Sequence, residues 1–262
     1  MTTATATKPA TKAPAVVTFE LTNKQAARIG ILCQLCTDTD CTRFSLGGVR
    51  FELDGPTLTT IGTDGRRLCT ATTKVMSKTG TDSDDTISGV YNCEALGKKL
   101  ARVNVDNLSI FTVSLSAVAV SFQWETARGK TESVACPVVD GRYPNWRQVI
   151  PTWKDCPAGS IDFSVGDWAD AINEHESEHG ADMAVNGKVS FSRPLELSHK
   201  GHTGADLSCL INQAYILDWV KAANRCGISS DAKLSFDGPS SPVLVTTEAA
   251  QLVVMPMSRD RR

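Results

Sequence analysis

Apolar and polar residues begin to alternate at Val17. Residues 17–21 (Val-Thr-Phe-Glu-Leu) place their apolar side chains on one face, the period of a half-buried strand. The spacing then lengthens to that of a helix, with Thr22 or Asn23 as N-cap and Ile29, Leu32, Cys33 and Cys36 along one side. Strand-like runs follow at 44–53, 58–63 and 67–74. The Asp64-Gly65 pair between the last two is a strong hairpin signal. A polar, Asp- and Ser-rich linker at 77–85 closes this first unit. The order of one strand, one helix and three strands then returns: 87–91, a helix over 93–103, and strands at 108–115, 117–124 and 130–138.

Pro144 to Pro157 is a proline-rich stretch and marks a domain boundary. Beyond it the plan appears twice more. Residues 161–165 lead into a helix over 166–179, with strands at 185–193 and 195–199. Residues 206–211 lead into a helix over 212–226, with strands at 233–236, 243–247 and 251–255. Four similar units paired into two domains is a repeat architecture. Residues 1–16 are mostly Thr, Ala, Pro and Lys, without an acidic or aromatic side chain, and are expected to be a disordered tail.

Composition narrows the function classes. The 262 residues are 41% apolar and 21% charged, and 27 Lys and Arg stand against 29 Asp and Glu, a net charge of −2. With no overall basic excess, contact with nucleic acid must come from local patches. No apolar run reaches the roughly 18 residues of a membrane span. Nine cysteines without a secretory leader read as reduced thiols. Cys33, Cys36 and Cys41 lie close together, but no second CxxC or matching His pair follows, so core packing is the better account of Cys33 and Cys36.

One motif points to metal chemistry. His175-Glu176-Ser177-Glu178-His179 fits HExxH, in which two histidines one turn apart hold zinc and the glutamate is a base. The same helix face carries Trp168 and Ile172, the stripe that packs into a core. His199 and His202 lie downstream at no recognised spacing, so histidines at the core edge are the preferred reading and a zinc hydrolase a remote one.

Three separated segments together carry more information than any one of them. They are Thr63-Asp64-Gly65-Arg66-Arg67-Leu68, the run from Asp140 to Pro151 (Asp-Gly-Arg-Tyr-Pro-Asn-Trp-Arg-Gln-Val-Ile-Pro), and Leu252-Val253-Val254-Met255-Pro256-Met257. In this order and spacing the chain resembles the bacterial DNA sliding clamp, the β subunit of DNA polymerase III, in its second and third domains only. The resemblance implies an α+β fold of two DNA-clamp domains, each made of two strand-helix-three-strand units with helices on one face of antiparallel sheets. Residues 17–140 would form the domain like the family's middle one, 141–158 a linker, and 159–262 the domain like the C-terminal one. The Met1 start and low-complexity lead-in favour a naturally two-domain form.

The resemblance also implies a site and partners. Leu46, Thr63, Gly65, Arg66, Arg67 and Leu68 would form one wall of a peptide pocket. Pro144 and Val149 come from the linker, and Val253, Val254, Met255, Pro256 and Met257 from the last strand. Leu, Val and two Met side chains make a soft apolar slot of the kind that adapts to several ligands. The implied ligand is a short extended peptide of a replicative or repair DNA polymerase, with Gln at one end and Leu or Phe at the other. Gln148 stands where the family has a basic residue, Ser258 where it has an arginine, and Arg259-Asp260-Arg261-Arg262 extends past the usual end, so the rim departs while the apolar floor is kept.

Sliding clamps are processivity factors, so the implied role is non-enzymatic and cofactor-free. It is also cytoplasmic and nucleoid-associated, with a clamp loader as a further partner. Double-stranded DNA would be held by non-specific contacts inside a homo-oligomeric ring, a homotrimer if six domains close it. The family's DNA-facing helices give Lys24, Arg28, Lys98, Lys99, Arg102, Lys221 and Arg225 as candidate contacts. Those helices carry +2, +2, −5 and +1, the third holding Asp167, Asp170, Glu174, Glu176 and Glu178. The charges cancel, where a wall facing phosphate should be positive. An alternative is therefore a clamp-derived peptide-binding adaptor that does not encircle DNA.

Overall fold

In the computed structural model, the structure describes residues 16–38, 44–80, 87–152, 159–167, 169–170, 183–185, 189–191, 195–200 and 206–257. The N-terminal tail, Cys41, the HExxH residues 175–179, His202, Ser258 and the Arg259–Arg262 tail lie outside them.

Strand β1 (Val17–Leu21) runs into α1 (Asn23–Ala27), which continues as a π-helical turn over Arg28–Cys33. Thr22 caps α1: its side chain accepts from Gln25 N–H at 3.3 Å, while the Gln25 side chain accepts from Thr22 N–H at 2.8 Å. Strands β2 (Val49–Asp54), β3 (Thr57–Thr63), β4 (Arg67–Lys74) and β5 (Met76–Thr79) follow. The second unit has β6 (Ile87–Tyr91), α2 (Glu94–Leu100), β7 (Phe111–Leu115), β8 (Ala119–Glu125) and β9 (Thr131–Pro137). Past the proline-rich stretch come β10 (Gly159–Ser164), helical residues at 165–167 and 169–170, β11 (Met183–Val185), β12 (Val189–Phe191) and β13 (Leu195–Lys200). The last unit is β14 (Asp206–Ile211), α3 (Gln213–Arg225), β15 (Asp231–Phe236), β16 (Val243–Thr246) and β17 (Ala250–Val254).

Three expectations change. The run at 44–53 opens as a 3-10 turn over Phe44–Gly47, and Gly48 separates it from β2; a side chain at Gly48 would press on the Tyr91 carbonyl. The start of the polar linker at 77–85 is β5, an edge strand on β1 with Met76 opposite Glu20 and Thr79 opposite Thr18. An edge strand needs no apolar outer face, so a polar composition hid it. The run at 185–193 divides into the hairpin β11–β12, with Val185 opposite Val189. Asn186-Gly187 between them is a hairpin signal that a single-strand reading passes over.

The strands form a five-stranded sheet, β5-β1-β7-β8-β9, and an eight-stranded one, β10-β15-β16-β17-β4-β3-β2-β6, with two hairpins, β11-β12 and β13-β14. The larger sheet is built from both halves of the chain. Its seam is the antiparallel pair β17–β4, from Ala250 opposite Ala71 to Val254 opposite Arg67.

Helices cover the inner faces closely. A Cβ at Gly97 of α2 would fall on the Gly30 carbonyl, and one at Gly62 of β3 on the Cys33 carbonyl. The main core includes Phe19, Leu32, Phe51, Phe122, Trp219 and Leu252. A second, smaller cluster sits on the outer face of the eight-stranded sheet: Ile61, Leu68, Val90, Leu244 and Val253, covered by Tyr143 and Trp146. Residues 143–150 of the segment expected as a linker thus lie as a strap across strands from both halves. Among the described residues, no helix is long and apolar enough to cross a membrane.

Candidate functional site

The β3–β4 hairpin is rigid by its own chemistry. Gly65 takes φ +83°, which a side chain would resist. Asp64 Oδ1 accepts from the N–H groups of Arg66 and Arg67, both at 2.8 Å, and Oδ2 from Arg67 Nε at 3.0 Å. Thr63 Oγ1 donates to the Arg67 carbonyl at 2.7 Å and accepts from Gly65 N–H at 3.1 Å. The Arg67 guanidinium turns inward, donating to the Leu35 carbonyl at 2.8 Å and lying 4.6 Å over the Tyr215 ring. Arg66 is exposed, and its carbonyl accepts from Met255 N–H at 2.8 Å, which carries the β4–β17 seam one step further.

The strap is fastened from below. Buried Tyr143 donates its hydroxyl to the Ile61 carbonyl at 3.1 Å, and burial pushes its phenol pKa up. On β2, Val49, Phe51 and Leu53 face the main core, so alternation sends Arg50 and Glu52 outward beneath the strap. Glu52 accepts from Arg50 Nε at 2.6 Å, Trp146 Nε1 at 3.2 Å and Arg147 Nη2 at 2.6 Å. Burial alone would raise this carboxyl, but the donors Arg50, Arg147 and Trp146 outweigh it and hold the pKa below the usual glutamate value.

Between hairpin, strap and last strand lies an apolar cavity of about 190 Å³. Leu46, Thr63, Gly65, Arg66, Arg67 and Leu68 line one side, Pro144, Trp146 and Val149 another, and Val253 and Met255 the third. Val149 and Met255 are 36% and 38% exposed, open apolar surface beside a filled core. The volume is below the roughly 300–1,000 Å³ of a site that engulfs a whole small molecule. It suits one or two apolar side chains of a segment lying across it. A second, more polar depression of about 350 Å³ adjoins it, sharing Leu46 and Pro144 and adding Ser45, Arg142 and Asn145.

Ten of the thirteen residues expected around the pocket line this cavity. Val254 does not. It is fully buried in the main core, because neighbouring strand residues point to opposite faces and Val253 takes the outer one. Pro256 and Met257 run past the cavity, where Met257 N–H donates to the Leu210 carbonyl at 2.6 Å. Trp146 was missed. Its signal was a large aromatic with one donor in the middle of a proline-rich segment, a residue that seldom stays in solvent.

The expected DNA-facing cations fall into different settings. Lys24 pairs with Asp106 at 3.6 Å, Lys98 with Glu94 at 2.5 Å and Lys99 with Glu132 at 3.5 Å. Arg102 is exposed and Lys221 half-buried. Arg225 donates to the carbonyls of Leu100, Ala101 and Val103, satisfying the C-terminus of α2 from α3. Arg28 is half-buried; its Nε is buried without a hydrogen-bond partner among the described residues, and burial lowers its pKa against the opposing pull of Cys226 and Glu248.

Cys33, Cys36, Cys69, Cys93, Cys136, Cys209 and Cys226 are all buried, as core packing requires. Burial pushes Cys226 up to about 12 and holds Cys69 and Cys93 well above the usual thiol range. Among the described residues, no three His, Cys, Asp or Glu side chains gather as metal ligands.

No protein-family model matches the chain. It is similar to the beta sliding clamp of Vibrio cholerae, 25% identical over 230 residues, which covers 82% of this chain and 58% of that protein. The chain thus spans just over half the length of the curated relative it matches. Solved structures of clamps share its fold, three among them as follows. The DNA polymerase III beta subunit of Thermotoga maritima has a TM-score of 0.61 and 18% identity over 97% of this chain and 68% of its own. The DNA polymerase sliding clamp of Bacillus subtilis has a TM-score of 0.65 and 19% identity over 92% and 64%. A putative DNA polymerase III beta subunit from Eubacterium rectale has a TM-score of 0.65 and 13% identity over 93% and 66%.

Proposed function

We propose that this chain, a relative of bacterial sliding clamps with the α+β clamp fold, is a non-enzymatic processivity factor that binds short peptide segments of replication or repair proteins. The supporting observation is the meeting of three distant segments, the Thr63–Leu68 hairpin, the strap around Trp146 and the end of β17, at one apolar cavity. An extended peptide would place a Leu or Phe side chain there, against Leu68, Val253 and Met255. Its polar end would lie in the adjoining depression with Arg142 and Asn145. The partners in this reading are DNA polymerases and a clamp loader in the cytoplasm, and DNA is encircled if copies close into a ring. Six domains would then require three chains.

A fluorescein-labelled peptide with Gln at one end and Leu-Phe at the other should bind saturably in an anisotropy titration. Binding should be lost when Leu68 and Met255 are both replaced by Asp. Unchanged affinity in that variant removes the pocket assignment.

A second reading, a peptide-binding adaptor that never closes around DNA, is favoured by the state of the cations. Lys24, Lys98 and Lys99 are ion-paired and the Arg28 Nε is buried. Asp167, in the helical residues 165–167, joins Asp162, Asp231 and Glu248 around one depression that also holds Lys233. Such surfaces give up the phosphate contacts that supply non-specific affinity. Light scattering across a concentration series separates the two: a stable trimer supports the ring, and a persistent monomer supports the adaptor.

A further inference from the structure

Glu52 is a carboxylate placed where strand alternation and the strap together remove it from water. Its side chain is only 11% exposed, on the outer face of β2 beneath residues 143–147. A carboxylate withdrawn that far is costly unless donors satisfy it. Three do so, and two of them, Trp146 Nε1 and Arg147 Nη2, belong to the strap. The third, Arg50 Nε, also lies with its guanidinium 5.7 Å over the Tyr143 ring. Arg147 in turn stacks 4.3 Å over the Trp146 ring. Both strap aromatics are therefore braced by one carboxylate, Trp146 directly and Tyr143 through Arg50.

As a source of stability this is a poor choice. Replacing a buried ionic cluster with apolar groups of similar volume is often neutral or stabilising. What the cluster supplies is direction. The indole has a single donor, and an acceptor on a strand held between β3 and β6 fixes which way the ring faces. Trp146 lines the cavity, while Glu52 does not.

We infer that Glu52 is the positioning residue of the pocket: through Trp146 and Arg147 it fixes the strap in the seating that leaves the cavity open beside Leu68 and Val253. Affinity for an apolar peptide side chain is then governed by a residue the ligand does not touch. The inference rests on the peptide-pocket reading above, and the test separates the two.

The full chain is compared with Glu52→Leu and Glu52→Gln, using the same labelled peptide. Three quantities are read: peptide affinity, urea midpoint, and the hydrogen-exchange rate of the Trp146 indole N–H. In Glu52→Leu the urea midpoint falls, because Arg50 and the Trp146 indole N–H lose their acceptor while partly or wholly withdrawn from water. Affinity falls roughly tenfold or more, the scale of a lost charge-assisted hydrogen bond, and the indole N–H exchanges faster. Glu52→Gln keeps an acceptor for the indole but no charge for the two arginines, so it falls between; it also carries the comparison should Glu52→Leu fail to fold.

Affinity within roughly twofold of the wild type overturns the inference and leaves the pocket standing. An indole exchange rate unchanged by either substitution overturns it as well. If the wild type binds no peptide, the pocket reading fails, while the indole exchange still decides whether Glu52 seats the strap.

Discussion

Val253 and Leu68 face each other across the seam between β17 and β4, and both line the outer cavity. One residue to either side along β17, Leu252 and Val254 face the main core instead. The last strand therefore serves two purposes on two faces, which substitutions can separate.

Leu252→Ala empties a fully buried core position and should destabilise the protein by about 2–5 kcal/mol. Met255→Ala, partly exposed at the cavity mouth, should stay within about 0.5 kcal/mol of the wild type while weakening peptide binding. Urea unfolding and an anisotropy titration on the same two proteins check the pair. Equal stability losses would contradict the two-faced assignment.

Gly62→Ala tests how closely the first helix lies on β3. The added Cβ would meet the Cys33 carbonyl, a backbone atom that cannot rotate away. A glycine in a strand interior normally gains from substitution by about 0.5–1 kcal/mol. Overpacking against fixed atoms costs about 1–3 kcal/mol and should win. The expected result is a lower urea midpoint, and a raised one would show that the helix sits further off.

The Glu52 carboxyl gives stability a pH dependence of definite sign. Its native pKa lies below the ordinary value, so the folded state favours the ionised form. Its contribution is complete above roughly pH 4.3, the unfolded glutamate value, and is lost as pH falls further through the lowered native one. Urea midpoints from pH 6 downward should drop less in Glu52→Leu than in the wild type below about pH 4. Parallel profiles would show that Glu52 carries no such linkage.

Thiol reactivity reports the core directly. Because the thiolate is the reactive form, Cys226, pushed up to about 12 by burial, and the equally buried Cys69 and Cys93 should resist Ellman's reagent at pH 8 in the native protein. All nine cysteines should react once the chain is unfolded. Fast native labelling at any of these three, located by peptide mapping, would contradict their placement.

Periodicity made most of the architecture legible. The switch from alternation to helical spacing at Thr22, the Asp64-Gly65 turn and the strands around 58–63, 67–74 and 251–255 were all readable from local pattern, because each is decided within a few residues. The resemblance carried by three short segments supplied what local pattern does not hold, namely that residues near 65, 145 and 253 meet. What escaped depended on contacts made elsewhere. β5 is a strand only because β1 offers it an edge. Arg28 reads as a surface cation by helical position, yet its Nε is buried and it feels Cys226 and Glu248, 198 and 220 positions away. Trp146 and Glu52 find each other across 94 positions, and no local pattern reveals that pairing.

The seam also fixes an order of events in making the molecule. Leu68 waits for a partner 185 positions later in the chain, and until residues 250–254 exist β4 is a bare sheet edge with its backbone donors and acceptors unspent. The first half must therefore emerge during synthesis with an adhesive border, at risk of pairing with another nascent copy. The finished protein hides that border with a strand made more than 175 residues later.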